Sequence, residues 1–191
     1  MNVSITRPSG PAFTLDFTAA DKHSFLALGG TVTLGVSMGG FTANLVGSFY
    51  FEKTTIGLDT YMKVSVSDAH FDLGASGVTL QATAINGAFL IQGDGKSAGR
   101  LSIGHVGLTG ISGLTFTVDD FALEFNNTGG AVSVNIPVAG SATGVDLDYT
   151  DPALHDFIRV GGTLHLGLTV GSFSTNLSGT FLFEKTAGML K

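Results

Sequence analysis

The sequence has 191 residues, of which 28 are glycine, 15 are phenylalanine, none is cysteine and only 13% are charged. The absence of cysteine excludes disulfide bonds and zinc–thiolate sites, and a hydrophobic content of 43% excludes a disordered chain. Nine basic residues against fifteen acidic ones give a net charge of -6, which has the wrong sign for binding phosphate backbones, so we expect no nucleic-acid partner.

The first ten residues, MNVSITRPSG, contain neither a basic segment nor an apolar run, so they do not form a signal peptide. No stretch reaches the roughly 18 uninterrupted apolar residues of a membrane-spanning helix, and we expect no membrane partner. If the protein is secreted, we expect its targeting signal to lie in a longer parent chain.

The first clear element is a hairpin. Residues 31–52 alternate between apolar and polar side chains on both sides of the pair Gly39-Gly40. Period-two alternation around a two-residue turn predicts a β-hairpin, and the short loop fixes its register. We expect Met38 to lie opposite Phe41, with apolar residues or glycine at every pair on that face.

The same hairpin is repeated 132 residues later in the chain. Residues 157–186 match residues 25–54 without a gap at sixteen of thirty positions, where unrelated sequences share about two. The second copy predicts a turn at Gly171-Ser172. The match is therefore a duplication.

The duplication divides the chain into periods. We expect residues 1–142 to form a first period of about four hairpins, and residues 143–191 to begin a second period that repeats residues 11–54. Since a natural domain rarely stops in mid-period, we interpret the sequence as a piece of a longer tandem array.

The segments between the two copies continue the alternation. Its breaks at Asp68-Ala69 and Asp119-Asp120 predict bulges or turns, and residues 151–154 (DPAL) resemble a helix start of a turn or two at most. The chain is predicted to be all-β, with long antiparallel hairpins in a repetitive extended sheet that forms a rod, a solenoid or a large barrel-like fibre module. We expect strands of about 9 to 12 residues.

Glycines recur at fixed positions within the two hairpins. Gly30 and Gly162 lie opposite Phe49 and Phe181, where we expect an aromatic ring to lie over the bare backbone. On the polar face, Asn44 and Asn176 also face glycines. Each could contact a ligand, but bonding between a strand amide and neighbouring polar side chains explains them more simply.

Five histidines are the first candidates for chemistry: His23, His70, His105, His155 and His165. None has a metal-ligand spacing such as HxH or HExxH, and the chain has no GxSxG elbow. We therefore predict no catalytic, cofactor-binding or metal-binding residue and expect no enzymatic activity. His23 and His155 recur at the repeat offset, which indicates a structural cap.

Two acidic turns, Asp119-Asp120 and Asp146 with Asp148, are the only candidates for calcium, and two nearby carboxylates are a weak pattern for it. We expect no cofactor.

Two further motifs have simple structural interpretations. Asn126 and Asn176 begin formal glycosylation sequons. The repeated pairs Glu52-Lys53 and Glu184-Lys185 are interpreted as a solvated strand end with a contact between neighbouring charges.

The segments FYFEKT at 49–54 and FLFEKT at 181–186, with the preceding GGTxxLGxxxGxF and NLxGxF patterns, resemble repeats of very large bacterial surface or secreted proteins. Those proteins are adhesin-like, fibre-forming chains of many glycine- and threonine-rich β units. The resemblance is specific only in residues 25–54 and 157–186. It implies an extracellular or cell-surface structural role and carries over no catalytic residue.

The function expected from these features is that of a structural or adhesive repeat module. Because homologous segments open and close the chain, we expect neighbouring copies to join end to end by strand addition into a stalk or filament. One alternative is an outer-membrane β-barrel segment, which alternating strands also indicate. Another is a carbohydrate-binding β domain, which requires an aromatic platform that Tyr50, Tyr61 and Tyr149 do not evidently form.

Overall fold

The structure is a computed structural model that describes residues 2–5, 13–16, 26–38, 41–56, 59–186 and 189–190. These residues form thirteen strands and one short 3-10 helix. The strands are β1 (Asn2–Ile5), β2 (Phe13–Asp16), β3 (Leu26–Met38), β4 (Phe41–Ile56), β5 (Asp59–Ala75), β6 (Val78–Gln92), β7 (Ser97–Thr109), β8 (Leu114–Asn126), β9 (Val132–Ile136), β10 (Val145–Tyr149), β11 (Phe157–Val170), β12 (Phe173–Thr186) and β13 (Met189–Leu190), with the 3-10 helix at Pro152–Leu154.

Nine strands form one antiparallel sheet in the order β13-β12-β11-β8-β7-β6-β5-β4-β3. From β3 to β8 each strand pairs with the next along the chain, and β11 then pairs with β8 after the chain has left the sheet to form β9 and β10. The all-β prediction is confirmed. The sheet is not closed into a barrel: β3 lies at one edge, and β12, extended only by the two residues of β13, lies at the other.

The predicted register of both repeated hairpins is confirmed. Gly30 lies opposite Phe49 in the first copy, and Gly162 lies opposite Phe181 in the second. The turn predicted at Gly39-Gly40 lies outside the described residues, whereas the pairing on either side of it is the one expected from a two-residue loop.

The strands are longer than predicted, because the predicted breaks are bulges within them. The eight main strands have 13 to 17 residues. Asp68, Ala84 and Asp120 have φ of 47°, 53° and 52°, and the register of the neighbouring pairs shifts at these points. A bulge adds one residue and returns the alternation to its original face, so the ladder continues through it.

The β9–β10 hairpin packs across one face of the sheet and forms the buried core. The core residues are Ala88, Leu90, Ala98, Val132, Ile136, Leu147, Tyr149 and Phe157. Tyr149 anchors the hairpin, because its hydroxyl donates to the Gly99 carbonyl at 3.0 Å and its ring lies edge-on to Phe157. Burial raises the pKa of Tyr149 to about 12.

The chain returns from this hairpin through the predicted helix start. The Asp151 carboxylate caps the 3-10 helix by accepting from the Ala153 backbone N–H at 2.9 Å, and Pro152 occupies the first turn. The short helix predicted at residues 151–154 is therefore confirmed, and it leads the chain directly into β11.

The two faces of the sheet differ in composition, and we name them the covered face, which carries the β9–β10 hairpin, and the open face. Ion pairs cross the covered face from strand to strand: Lys63–Glu52 at 2.9 Å, Arg159–Glu124 at 3.4 Å and Arg159–Glu184 at 2.8 Å. The open face is apolar. Its large hydrophobic side chains that are at least 36% exposed are Leu26, Leu28, Val32, Phe51, Met62, Leu73, Ile158, Leu166, Leu168, Val170, Phe173, Leu177 and Phe183.

The packing of β10 on the sheet gives a direct test of this core. Leu147 is 1% exposed, whereas Leu182, on the covered face of β12, is 63% exposed. We expect Leu147→Ala to lower the free energy of unfolding by about 2 to 5 kcal/mol through lost burial and a cavity, and Leu182→Ala to change it by less than about 0.5 kcal/mol. Urea denaturation measures both values. Equal losses would contradict the proposed packing of the hairpin.

Candidate functional site

The repeated hairpins form the two edges of the sheet. β3–β4 lies at one edge and β11–β12 at the other, with β11 six strands beyond β3. Because every neighbouring pair is antiparallel, β3 and β11 run in the same direction. A step of 132 residues along the sequence therefore corresponds to a step of six strands across the sheet, about 29 Å at the usual strand spacing.

The free edge of β12 presents unpaired backbone groups. Val170 and Phe173 flank the turn at Gly171-Ser172, and in such a hairpin the flanking pair exchanges both hydrogen bonds. In agreement, the N–H of Thr169 points the other way and donates to Gly113 across the β8 side of β11 at 2.7 Å. Alternation then places the N–H and C=O groups of even-numbered β12 residues, such as Thr180, at the free edge.

Two equivalent glycines, Gly47 in β4 and Gly179 in β12, have different surroundings. Gly47 in β4 is buried against the bulge of β5, where an added Cβ would overlap the Cβ of Ala69 and lie 2.9 Å from its Cα. Its repeat equivalent, Gly179 in β12, has nothing within 4 Å of an added Cβ. The glycine is required where a β5 strand is present, and it recurs at the edge where no such strand lies.

A second pair of equivalent glycines, Gly162 and Gly30, differs in the same way at the β3 edge. Gly162 in β11 is buried against β8, where an added Cβ would lie 3.2 Å from Val118 Cγ1 and 3.4 Å from the Asp119 carbonyl oxygen. Its equivalent Gly30, on the exposed edge strand β3, has nothing within 4 Å. The aromatic contact predicted for these glycines is therefore present at Gly162, where Phe181 Cζ would be 3.3 Å away, and absent at Gly30.

The repeated glutamates corroborate the assignment of the β12 edge. Glu52 is 8% exposed, pairs with Lys63 of β5 and accepts a 2.6 Å hydrogen bond from the Tyr50 hydroxyl. The interpretation of Glu52-Lys53 as a solvated end was therefore wrong: the two side chains lie on opposite faces, and Glu52 finds its cation across the sheet. Among the residues that the structure describes, the cation paired with Glu184 is Arg159, on its inner side at 2.8 Å.

A separate polar network on the covered face links four strands, β7, β8, β11 and β12. His105 Nδ1 lies 2.5 Å from Asp119 Oδ1, His165 Nε2 lies 3.5 Å from Asp119 Oδ2, and His165 Nδ1 lies 2.9 Å from Ser178 Oγ. The order Ser178, His165, Asp119 has the connectivity of a catalytic triad. However, the Asp119 side chain is 38% exposed to solvent. The carboxylate of a catalytic triad is buried. We interpret the network as cross-strand pairing.

The other residues singled out in the sequence have local partners. Asp146 accepts from Asn135 Nδ2 at 2.7 Å and Asp148 accepts from Thr150 Oγ1 at 2.8 Å. Across the part of the chain that the structure describes, no group of three histidine, aspartate or glutamate side chains is arranged to hold a metal ion.

The two recurring histidines can be followed only in part. His155 Nε2 lies 3.3 Å from the Thr150 carbonyl oxygen within the linker, as a structural cap would. His23 lies outside the described residues.

The two sequon asparagines occupy different environments. Asn126 is fully buried, and its amide donates to the carbonyls of Gly130 and Leu154, both at 2.9 Å. It is a structural amide that closes the loop after β8. Asn176 is exposed on β12, with its Oδ1 2.8 Å from an added Cβ at Gly167.

None of the three tyrosines considered as a carbohydrate platform is fully exposed. Tyr149 is buried in the core, Tyr61 packs against its margin and Tyr50 is bonded to Glu52 on β4. Burial and the hydrogen bond to Glu52 raise the pKa of Tyr50.

Comparison with known proteins finds no relative of this chain. No family model, curated protein or solved structure matches the chain. Among the described residues, no helix has the length and apolar character needed to cross a membrane.

The glycine pair Gly47 and Gly179 gives a matched test of the edge assignment. We expect Gly47→Ala to lower the free energy of unfolding by about 1 to 3 kcal/mol, because the new methyl group overlaps Ala69. Gly179→Ala meets open space, so we expect it to be neutral or to stabilise the chain by up to about 1 kcal/mol. Chemical denaturation of the two variants compares them directly. A loss for Gly179→Ala as large as that for Gly47→Ala would show that its edge is not open.

Proposed function

We propose that this chain is a structural repeat module whose sheet is built to continue at both edges, so that successive units join end to end into a stalk or filament. The edge of β12 takes a strand equivalent to β5, and the edge of β3 takes a strand equivalent to β8. In a continuing array the next and preceding periods supply these strands, whereas in separate copies the free β12 edge of one pairs instead with the free β3 edge of another. An extracellular or cell-surface, adhesin-like setting is part of the proposal and rests on the resemblance of residues 25–54 and 157–186.

The observation that carries the proposal is the reciprocal pair of glycine environments. Gly179 has no steric requirement at its own position, but its equivalent Gly47 is required by the bulge of a neighbouring strand. Gly30 likewise has nothing near it, whereas an added Cβ at its equivalent Gly162 would lie within a tight 3.2 Å of Val118 Cγ1 of β8. Glycine costs about 0.5 to 1 kcal/mol in a strand relative to alanine, so its presence at both edges favours neighbours at both.

Charge supports the same neighbour at β12. Glu184 is equivalent to Glu52, which pairs with Lys63 of β5. A β5-like strand added at β12 would bring a lysine to the outer side of Glu184, while Arg159 remains on its inner side at 2.8 Å. The ion pairs of the covered face would then run on into the next unit.

Strand direction also permits direct contact between two copies. The eight long strands alternate in direction, so β12 runs opposite to β3. The β12 edge of one copy therefore meets the β3 edge of another in the antiparallel sense, and one sheet can continue into the next with its faces matched. An unprotected strand edge of this length is a ready template for such pairing.

Blocking the β12 edge tests the proposal. Proline removes a backbone donor and is tolerated on an edge strand where the N–H faces outward, as at Thr180. We expect the wild-type chain to form end-to-end dimers or filaments in negative-stain electron microscopy, and Thr180→Pro to abolish this end-to-end growth.

Thr180→Val is the matched control, because it keeps the backbone donor and should assemble like the wild type. Both variants should retain a free energy of unfolding within about 1 kcal/mol of the wild type. Single, compact wild-type particles at every concentration, or filaments unaffected by Thr180→Pro, would count against end-to-end assembly through this edge.

A further inference from the structure

The open face of the sheet is a large apolar surface that the edges do not explain. Eight strands of at least 13 residues contribute to it, which corresponds to about 34 by 43 Å, or about 1,400 Å², at standard strand spacings. Monomeric proteins rarely leave contiguous apolar patches of more than about 600 Å² exposed. A sheet hydrophobic on one face requires a second layer against it.

The charges on this face are few and confined to one end. Outside the bulges, the charged residues among its described positions are Lys53 and Lys185, which are repeat equivalents near the same end of the strands. The carboxylates and arginines of the long strands pair instead on the covered face, as in Arg159 with Glu124 and Glu184. The apolar open face is therefore not complementary to the charged covered face of another copy or to a strongly charged partner.

In the middle of the open face, two aromatic rings fill the space beside a glycine. An added Cβ at Gly99 would lie 2.5 Å from Phe89 Cδ1 and 3.2 Å from Phe125 Cε1, so the rings on either side lean over the glycine. Their centroids are 6.3 Å apart with an interplanar angle of 35°. At Gly99, rings lying over bare backbone fill the gap that the glycine leaves, which suits the packing of two sheets about 10 Å apart.

We propose that the open face is covered by the open face of a second copy of this chain, forming a two-layered sheet. Two such faces bury about 2,800 Å² in total, within the range of about 2,000 to 5,000 Å² typical of obligate homodimers. A two-fold arrangement needs only one self-complementary patch. With the strands of the two layers reversed, Lys53 and Lys185 of each copy reach solvent at opposite ends. This contact is independent of strand addition at the edges.

Two leucines on β12 provide a matched test. Leu177, on the open face, and Leu182, on the covered face, are each 63% exposed. We expect Leu177→Glu to weaken dimerisation by about 100-fold or more, because it places an unpaired carboxylate in the interface. Leu182→Glu should leave the dissociation constant within about threefold of wild type. Sedimentation equilibrium over a wide concentration range measures these constants in the Thr180→Pro background, where assembly through the edge is blocked.

A second variant and a second assay keep the result decisive. Leu73→Glu, on the open face of β5, should weaken the dimer as Leu177→Glu does, and circular dichroism should show unchanged strand content for all three variants. Thr180→Pro, which blocks the edge, should leave the face-to-face dimer intact. Equal effects of Leu177→Glu and Leu182→Glu would overturn the proposal. So would a wild-type chain that stays monomeric alone but floats with phosphatidylcholine vesicles, since a lipid surface would then be the occupant.

Discussion

The structure depends on one continuous antiparallel backbone ladder, which runs without interruption from β3 to β12. Its eight long strands share no single enclosed core, and the buried cluster is confined to the part of the covered face under β9 and β10. Stability therefore comes mainly from strand-to-strand pairing and its cross-strand contacts. A ladder of this kind has no intrinsic end, because each outer strand offers the same backbone groups as an inner one.

The bulges and the glycines make this ladder specific. Each bulge, as at Asp68, restores the alternation, so that the apolar positions before and after it lie on the same face of the strand. The bulge in β5 also brings Ala69 close to β4, and Gly47 leaves room for it because it has no side chain. Because the bulge and the glycine belong to different strands, the glycine retained at Gly179 supports the proposal that a β5-like strand lies beside it.

Much of this fold was predictable from periodicity and turns. A two-residue loop with alternation on both sides leaves a single register, so the pairing of Gly30 with Phe49 followed directly. The contacts of Glu52 did not follow, because its partner Lys63 lies on the next strand, and the pairing of β4 with β5 was not predicted. The separate β9–β10 hairpin was also not predicted, because residues such as Val132 and Val134 alternate as they would in a strand of the main sheet. The edges became recognisable as a site only when equivalent glycines could be compared in two environments.

The central claim is that the β12 edge is shaped for a β5-like strand. It is tested most directly by adding one further period, residues 55–186, after Thr186 and measuring the effect of Gly179→Ala on unfolding free energy in the longer chain. We expect the substitution, neutral in the original chain, to cost about 1 to 3 kcal/mol there, as the added strand packs against position 179. If Gly179→Ala remains neutral in the longer chain, the added period does not occupy this edge, and the sheet does not continue as proposed.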